Sequence, residues 1–337
     1  MGACLGLGWT AVPDNDQLLL LDKHAVAQLL DPQLVLAAVR EAFVLHSQRL
    51  GRVFPLVREA LPAGGVFGIK SGDVPAQHLL GLKAAGFWPA NRQRASDAHQ
   101  ATIVLIDPAT GRPQCIIDGN AVTTMRTGAA GALGLMLLAR PDSQHLCVFG
   151  TGVQARVQVA YALDALPLLT QISYVSSSGG PDADFEALFS ARCSIAPATD
   201  RHAAVASCDV VITATPGGGP LFDQAAVSLG THLNCVGADT KGKRELPAGL
   251  IERSRLFVDD RLQAQQVGES QWLANSGTDM PCIELGDLLD AMQFQRAQTD
   301  ITIFDMTGLA LQDLTVARML EQRAAITGVG HRIAWPW

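Results

Sequence analysis

The segment Gly150-Thr151-Gly152-Val153-Gln154-Ala155 constrains the fold of this 337-residue chain more than any other. It fits the pattern G-x-G-x-x-G/A, follows the apolar run His145–Phe149 and opens a helical pattern. Gly150 permits a tight turn, Gly152 leaves room for a pyrophosphate, and Ala155 allows helix and strand to pack closely. Because a helix start offers free N–H groups and a positive dipole end, the segment predicts a dinucleotide-binding turn.

Strand and helix patterns alternate on both sides of this turn. Such alternation predicts βαβ units and a parallel sheet. Residues 127–308 are therefore predicted to form a Rossmann-type, doubly wound α/β domain. Its predicted elements after the first strand are a helix at Val153–Leu163, a strand at Ile172–Val175, a helix at Asp184–Ala191, and strands at Val210–Thr213, His232–Val236, Arg255–Val258 and Ile301–Phe304.

The rest of the chain predicts a second, α+β domain rich in antiparallel sheet. Leu18–Leu21 reads as a strand, and Asp31-Pro32 starts a helix. Ile103–Ile106 and Cys115–Ile117 predict a hairpin. Residues 1–126 are assigned to this domain, and 309–337 join them because the helix Leu309–Gln322 is long enough to return.

A Gly/Ala-rich helix, Thr127–Leu138, is predicted to connect the two domains. This apolar region, near residues 129–139, is too short and too rich in glycine to span a bilayer, so no membrane partner is expected. The net charge of −7 weighs against a nucleic-acid partner, which needs a basic surface. The seven cysteines stand singly with no CxxC pair, which favours a reducing cytoplasm and predicts no metal site.

The nucleotide preference should be set where the second Rossmann strand ends. That strand ends in Ser176-Ser177-Ser178, with neither the acid that favours NAD(H) nor an arginine for a 2′-phosphate. Both cofactors stay open, and the absence of the acid favours NADP(H). The predicted cofactor-binding residues are Gly150, Thr151, Gly152, Val153, Gln154, Ser176, Ser177, Thr213, Thr215 and Gly237.

Five ordered motifs resemble those of the ornithine cyclodeaminase/mu-crystallin family, from about Leu18 to Ala317. This resemblance implies a homodimer joined through the domain built from both chain ends. Members include cyclodeaminases, cyclic-imine reductases, amino-acid dehydrogenases and a hormone-binding crystallin. The motifs are His99–Thr102, Asp118–Thr127, the Gly150–Gln154 loop, Gly237–Leu246 and Phe304–Asp313.

The resemblance also nominates residues for binding the substrate carboxylate. Arg126 matches the arginine that holds it, and an arginine grips a carboxylate through two parallel hydrogen bonds. Arg126 precedes a predicted helix, where the positive dipole end disfavours a purely structural cation. Arg52 and Lys83 match two further contacts, although Arg52 could be a solvated charge with Arg58 as its rival. Gln100 is another candidate near the substrate.

Asp239 and Lys83 are the predicted catalytic residues. Asp239 follows the strand His232–Gly237, and ligands of open α/β sheets bind beyond the carboxyl ends of strands. It matches an aspartate near the reacting nitrogen, where a carboxylate could stabilise an iminium ion or relay a proton. Lys243 matches a neighbouring lysine, which would pair with Asp239 or line the cofactor site.

Two features separate the possible activities. The cyclodeaminases carry a glutamate for the distal amine where this chain has Gly68, which weighs against ornithine as substrate. The hormone-binding branch lacks Asp239 and Lys243, which this chain keeps. We therefore expect NAD(P)H-dependent reduction of a cyclic imino acid, either 1-pyrroline-2-carboxylate or 1-piperideine-2-carboxylate. The alternatives are an amino-acid or opine-type dehydrogenase, an ornithine cyclodeaminase, and a non-catalytic ligand-binding protein.

Overall fold

The computed structural model describes residues 17–62, 64–273, 281–290 and 294–334. The first part of the chain supplies seven strands and two helices. They are β1 (Gln17–Leu21), α1 (Lys23–Leu29), α2 (Pro32–Ser47), β2 (Arg52–Val53), β3 (Val57–Ala60), β4 (Val66–Val74), β5 (Leu79–Phe87), β6 (His99–Ile106) and β7 (Pro113–Asp118).

The long helix α3 (Gly119–Leu138) leads into the second part of the chain. There the elements are β8 (His145–Phe149), α4 (Val153–Ala165), β9 (Gln171–Val175), α5 (Ala183–Phe189), β10 (Ser194–Pro197), α6 (Arg201–Ser207), β11 (Val210–Thr213), β12 (His232–Cys235), β13 (Arg255–Val258), α7 (Arg261–Val267), β14 (Cys282–Glu284), α8 (Leu285–Asp290) and β15 (Thr302–Asp305). The chain ends with α9 (Ala310–Thr327) and β16 (His331–Ala334).

The second sheet carries the dinucleotide turn. Its strands run in the order β10-β9-β8-β11-β12-β15-β13-β14, and every pair is parallel. Successive side chains of β8 pack on opposite faces of the sheet. Leu146 and Val148 belong to one hydrophobic cluster, and Cys147 and Phe149 belong to the other. Helices cover both faces, which confirms the predicted Rossmann-type fold. The strand order reverses at β8, where ligands of such sheets bind.

The first sheet is mostly antiparallel and runs β16-β1-β7-β6-β5-β4-β2, with β3 paired to β4. The predicted hairpin is confirmed, because Ile103 lies opposite Ile117 in the antiparallel pair β6–β7. The strands of this sheet come from residues 17–118 and 331–334, and α9 packs on β4, β5 and β6. Both ends of the described chain therefore build one layer.

Strand register brings three basic residues onto one face of this sheet. Lys70 of β4 lies directly opposite Lys83 of β5, and Arg58 of β3 lies opposite Gly68. Because side chains alternate along a strand, Gly68 and Lys70 share a face, and Arg58 shares it with them. Helix α9 covers this face, so three cations point toward the interior of the fold.

Helix α3 begins earlier than the sequence analysis predicted. Its N-cap is Asp118, whose side chain accepts a 2.9 Å hydrogen bond from the backbone of Asn120, so the helix starts at Gly119 and not at Thr127. Arg126 consequently lies in the helix interior, away from its positive end. The dipole argument for a functional Arg126 is therefore wrong, and the case for this residue rests on its burial and its partners.

The apolar composition of α3 serves packing within the fold. By length and hydropathy this helix could cross a membrane, yet about two-thirds of its apolar window is buried, 67%. A Cβ added to Gly131 would stand 2.0 Å from Oε1 of Gln158, and one at Gly134 would stand 2.5 Å from Phe304. Small residues thus let α3 approach α4 and the second sheet closely, as expected of a core helix.

Candidate active site

The predicted dinucleotide turn has the geometry that a diphosphate requires. Gly150 has φ of 102°, and a Cβ there would stand 2.6 Å from the carbonyl oxygen of Ala214. Gly152 caps α4 without any side-chain hydrogen bond, and a Cβ at Gly152 would meet no atom within 4 Å. The first N–H groups of α4 therefore face open space, where they can bind phosphate oxygens. These residues fit a dinucleotide.

The other predicted cofactor residues divide into two groups. Val153 and Ser177 are exposed near the turn, Thr151 and Gln154 are partly exposed beside it, and Ser176 donates to the carbonyl of Gly180 at 2.7 Å. The side chain of Thr213 is fully buried at the end of β11, and the predicted cofactor role of this residue stays a prediction.

Arg126 and Lys83 meet at one buried carboxylate. Nε of Arg126 donates to Oδ1 of Asp313 at 3.2 Å, and Nζ of Lys83 lies 2.7 Å from Oδ2. A second nitrogen of Arg126 donates to Gln312 at 3.2 Å. Side-chain exposure is 4% for Lys83 and 1% for Asp313. The structure thus brings together two of the predicted carboxylate ligands and adds Asp313 as their shared partner.

Lys70 is a further cation beside this group. Its Nζ donates to the carbonyl oxygens of Thr307 and Gly308, each at 2.7 Å. A Cβ added to Gly308 would stand 2.9 Å from Nη1 of Arg126 and 3.2 Å from Nζ of Lys70, so the two cations flank the same residue. Gly308 has φ of 83°, a conformation in which glycine is favoured. No motif in the sequence points to Lys70, which lies within the apolar run of β4.

Asp239 lies in a second group of charges at the end of β12. Oδ2 accepts a hydrogen bond from Nη2 of Arg58 at 3.0 Å, and Oδ1 accepts one from Nζ of Lys243 at 2.7 Å. Arg58 also donates to Thr240 at 2.6 Å. The Asp239 side chain keeps 38% of its surface exposed, so a ligand can reach it. The predicted pairing of Asp239 with Lys243 is confirmed.

Two predicted substrate residues lie elsewhere. Arg52 pairs with Asp73 on the neighbouring strand through two hydrogen bonds, and 65% of its side chain is exposed. Arg58, the rival residue, is the arginine that lies beside Asp239. Gln100 points to the opposite face of the sheet from Lys83, because Lys83 pairs with Ile103 and residues alternate along β6. Its amide donates to the carbonyl of Asp97.

We call Arg58, Lys70, Lys83, Arg126 and Lys243 the cation cluster. Burial lowers the pKa of Lys83 to about 7, opposed by the charge of Asp313. Burial and then the charge of Arg126 lower the pKa of Lys70 to about 8. Burial alone would raise the pKa of Asp239, yet Lys243 and then Arg58 hold it below its usual value. Asp239 is therefore an anion at neutral pH, while Lys83 can gain or lose a proton there.

Three buried carboxylates, which we call the acid chain, hold the loop that carries Asp239. Glu245 accepts hydrogen bonds from the backbone N–H groups of Thr215 and Gly237, both at 2.8 Å. Glu269 accepts one from the Glu245 backbone at 2.6 Å, and Asp305 accepts one from the Glu269 backbone at 3.0 Å. Thr215 and Gly237 were predicted to bind the cofactor, but their backbone N–H groups bind Glu245 instead.

A family model matches almost all of the described chain. The model of the ornithine cyclodeaminase/mu-crystallin family covers residues 17–328. The chain belongs to this family. The predicted family is therefore confirmed, and the matched residues include every member of the cation cluster.

Relatives with names and solved structures extend this result. Iminosuccinate reductase of Paracoccus denitrificans is 32% identical over 94% of this chain and 99% of its own, and its structure with NAD+ superposes with a TM-score of 0.86. An archaeal alanine dehydrogenase dimer with bound NAD is 28% identical, with 95% of this chain and all of that chain covered, at a TM-score of 0.87.

A third solved structure contains an amino acid as well as a nicotinamide. Delta(1)-pyrroline-2-carboxylate reductase of Thermococcus litoralis, in complex with NADH and L-proline, is 25% identical over 94% of this chain and 100% of that chain, at a TM-score of 0.85. Together the comparisons confirm that this chain is an NAD(P)-dependent oxidoreductase of the family.

Proposed function

We propose that this enzyme reduces the C=N bond of a small imino acid with NAD(P)H. The observation that carries this proposal is the cation cluster, two members of which, Arg58 and Lys243, pair with the carboxylate of Asp239 at the carboxyl end of β12. Cations bind the carboxylate of an imino acid, and an anion beside them favours a positively charged nitrogen. The first substrates to test are the cyclic imines 1-pyrroline-2-carboxylate and 1-piperideine-2-carboxylate.

The proposed roles follow from position and charge. Arg126, Lys83 and Arg58 bind the substrate carboxylate and fix the imine carbon toward the cofactor. Asp239 accepts a hydrogen bond from the protonated imine nitrogen and stabilises its charge. Lys83, with a pKa of about 7, can exchange a proton at Nζ with the substrate at neutral pH.

The cofactor would lie on the Gly150–Ala155 turn with its diphosphate at the start of α4. When bound, the reduced nicotinamide supplies a hydride to the imine carbon. The nitrogen takes up a proton, so that an amino acid and oxidised nicotinamide are the products. The choice between NADP(H) and NAD(H) depends on Ser176 and Ser177 and is measured directly by comparing the two cofactors.

Cyclodeamination of ornithine is the less favoured alternative. Its distal ammonium group would need an anion near the substrate carboxylate. At Gly68 a Cβ would stand 2.9 Å from the carbonyl of Val57 and 3.5 Å from the Arg58 side chain, so a cation occupies that side of the strand. Lys70 adds a second cation on the same face. Like charges there oppose a diamino acid.

Open-chain amino-acid dehydrogenation remains the second candidate, since a relative of similar length is named alanine dehydrogenase. It makes the same change at a C–N bond. We also propose a cytoplasmic homodimer, because that archaeal relative is a dimer and the six described cysteines of this chain are free thiols.

The test is an assay of both cyclic imines, of ornithine and of alanine with each reduced and oxidised cofactor. Reduction of an imine is followed as loss of absorbance by the reduced nicotinamide, and cyclodeamination as ammonia release without net cofactor change. Turnover of at least one imine with consumption of NAD(P)H is expected. Proline and ammonia from ornithine, with both imines inert, would reverse the ranking.

A further inference from the structure

The loop that follows β9 folds back on itself beside the dinucleotide turn. The Ser176 hydroxyl donates to the carbonyl oxygen of Gly180 at 2.7 Å and lies 3.0 Å from the hydroxyl of Ser178. Gly179 has φ of 72°, and its backbone N–H donates to the carbonyl oxygen of Ser176 at 3.1 Å. Because these groups bond to one another, the chain reverses and brings the start of α5 back toward β9.

This reversal places Asp182 close to the dinucleotide turn. Its backbone N–H donates to the hydroxyl of Tyr174 on β9 at 2.7 Å, and its Oδ1 caps α5 by accepting from the N–H of Phe185 at 3.0 Å. The Thr151 hydroxyl, and then the Phe185 N–H, lower the pKa of Asp182 below its usual value. A partly exposed anion therefore lies beside Thr151, between the two glycines of the turn.

An arginine of α4 lies at the same place. Nε of Arg156 donates to the carbonyl oxygen of Thr151 at 3.0 Å, and its positive charge helps to lower the pKa of Asp182. The first turn of α5 adds the carboxyl groups of Asp184 and Glu186. One cation thus meets three carboxyl groups among these described residues, so the region is negative overall.

A nucleotide ribose has room in this region. A Cβ added to Gly152 on the turn, or to Gly179 or Gly180 on the loop, would meet no atom within 4 Å. The backbone N–H of Gly150 donates to the carbonyl oxygen of Val175 at 2.9 Å, so the turn and the end of β9 are in contact. In dinucleotide-binding sheets an acid at this junction binds the 2′-hydroxyl of the adenosine ribose.

We infer that Asp182 is the acid that reads the adenosine ribose and makes the enzyme select NAD(H) over NADP(H). The acid that is absent at the end of β9 is supplied from the start of α5. Its carboxylate accepts a hydrogen bond from the 2′-hydroxyl of NAD(H) and repels the 2′-phosphate of NADP(H), which carries a charge of about −1.5 to −2 at neutral pH. This preference is opposite to the one that the sequence favoured.

The inference deepens the proposed function, because it names the cofactor of the same reaction, and its first test does not need that reaction. NADH and NADPH are each titrated into the wild-type enzyme without an imine, and binding is followed by fluorescence. The Kd for NADH should be lower about tenfold or more. Equal affinities, or tighter binding of NADPH, would overturn the inference. Failure of every imine to react would remove the proposed function and leave this result standing.

Asp182→Asn tests the role of the carboxylate. Asparagine also caps helices well, so α5 should keep its start while the charge is lost. The affinity for NADPH relative to NADH should rise about tenfold or more. Asp184→Asn is the matched control, since it removes the same charge from an exposed side chain of the same helix turn, and it should change the ratio less than about twofold. Equal rises in the two variants would overturn the inference.

A double variant separates charge repulsion from a structural effect. In Asp182→Asn, Arg156 has lost its nearby anion and can bind the 2′-phosphate. Adding Arg156→Gln should therefore remove most of the gain in NADPH affinity. A gain that persists unchanged would show that the 2′-phosphate does not meet this group of charges, and it would overturn the placement of the ribose beside Asp182.

A melting experiment on the wild-type enzyme covers the case in which the variants fold poorly. ADP-ribose should raise the melting temperature more than 2′-phospho-ADP-ribose does at equal concentration, since the ligand with the higher affinity stabilises the folded state more. Equal shifts, or a larger shift with the 2′-phosphate, would overturn the inference.

Discussion

The cation cluster and the acid chain are both sets of like charges, but they differ in exposure and in how their charges are compensated. Each carboxylate of the acid chain accepts backbone hydrogen bonds, as Asp305 does from Glu269 and from Ser270 at 2.8 Å. In the cation cluster, four cations share the carboxylates of Asp239 and Asp313, and Lys70 donates to carbonyl oxygens. Charged groups whose partners all lie within the fold stabilise the structure. Charged groups that lack such partners and can be reached from solvent indicate a site for a ligand of opposite charge.

The acid chain also differs in protonation. Burial, and then the charge of Asp305, raise the pKa of Glu269 to about 8, and burial raises the pKa of Asp305 to about 7. Near neutral pH these carboxyls can therefore be held without a cation. If the contrast is correct, variants of the cation cluster and of Asp239 should lose function more than stability, and variants of the acid chain should do the reverse.

The largest effect should follow Asp239→Asn. This substitution keeps the shape but removes the charge that stabilises the protonated nitrogen, so kcat should fall about 100- to 10,000-fold. The measurement is steady-state reduction of the best imine, together with a thermal melt. Asp73→Asn, which alters the exposed pair with Arg52, is the control and should stay within about twofold of wild type. Full activity in Asp239→Asn would show that the charge of Asp239 is not needed for the reaction, and would contradict a functional role for this group.

The next effect separates the two rival arginines. Arg58→Gln should lower kcat/KM about 10- to 100-fold, because it removes a cation that contacts Asp239 and that we propose binds the substrate carboxylate. Arg52→Gln should change kcat/KM less than about twofold, since its exposed pair contributes little. Both are measured with the same imine at fixed cofactor. Equal losses of kcat/KM in the two variants would show that the total charge of the sheet matters, and not the position of Arg58 beside Asp239.

The rivalry between these arginines shows what sequence could and could not predict. The dinucleotide turn, the parallel sheet and Arg126 were predictable, because each depends on a local pattern or a motif. Spacing along the chain does not separate Arg58 from Arg52, because it does not reveal strand register. Only the pairing of β4 with β3 and with β5 places Arg58 and Lys70 on one face.

Other differences have the same physical origin. Lys70 and Lys83 each stand in an apolar strand pattern, but only their antiparallel pairing shows that they are opposed. Asp313 is far along the chain from Arg126, so no local signal links them. The start of α3, in contrast, has a local signal: Asp118 before Gly119 is typical of an N-cap, and it determines the helix start more than the Gly/Ala-rich run does.

A smaller effect is expected in the acid chain. Asp305→Asn should lower the free energy of unfolding by about 1–3 kcal/mol. The carboxylate accepts hydrogen bonds from two backbone N–H groups and the Ser270 hydroxyl, and an amide NH2 in place of one oxygen cannot accept them. Activity per folded molecule should stay within a few-fold of wild type. Chemical denaturation and kcat are measured in parallel, with Asp300→Asn at the exposed pair with Arg255 as control.

The smallest effect concerns pH and tests the cation cluster without a substitution at the outset. In the free enzyme the pKa values of Lys83 and Lys70 are about 7 and about 8, so their charges are present at low pH and lost as pH rises through this window. Propionate, a simple carboxylate inhibitor, does not titrate there, and its inhibition constant should rise about three- to tenfold between pH 7 and pH 9. In Lys70→Met the rise should shrink, because one titrating cation is gone. A rise of the same size in that variant would mean that the charge of Lys70 does not act on the bound carboxylate, and Lys83 alone would then account for the pH dependence.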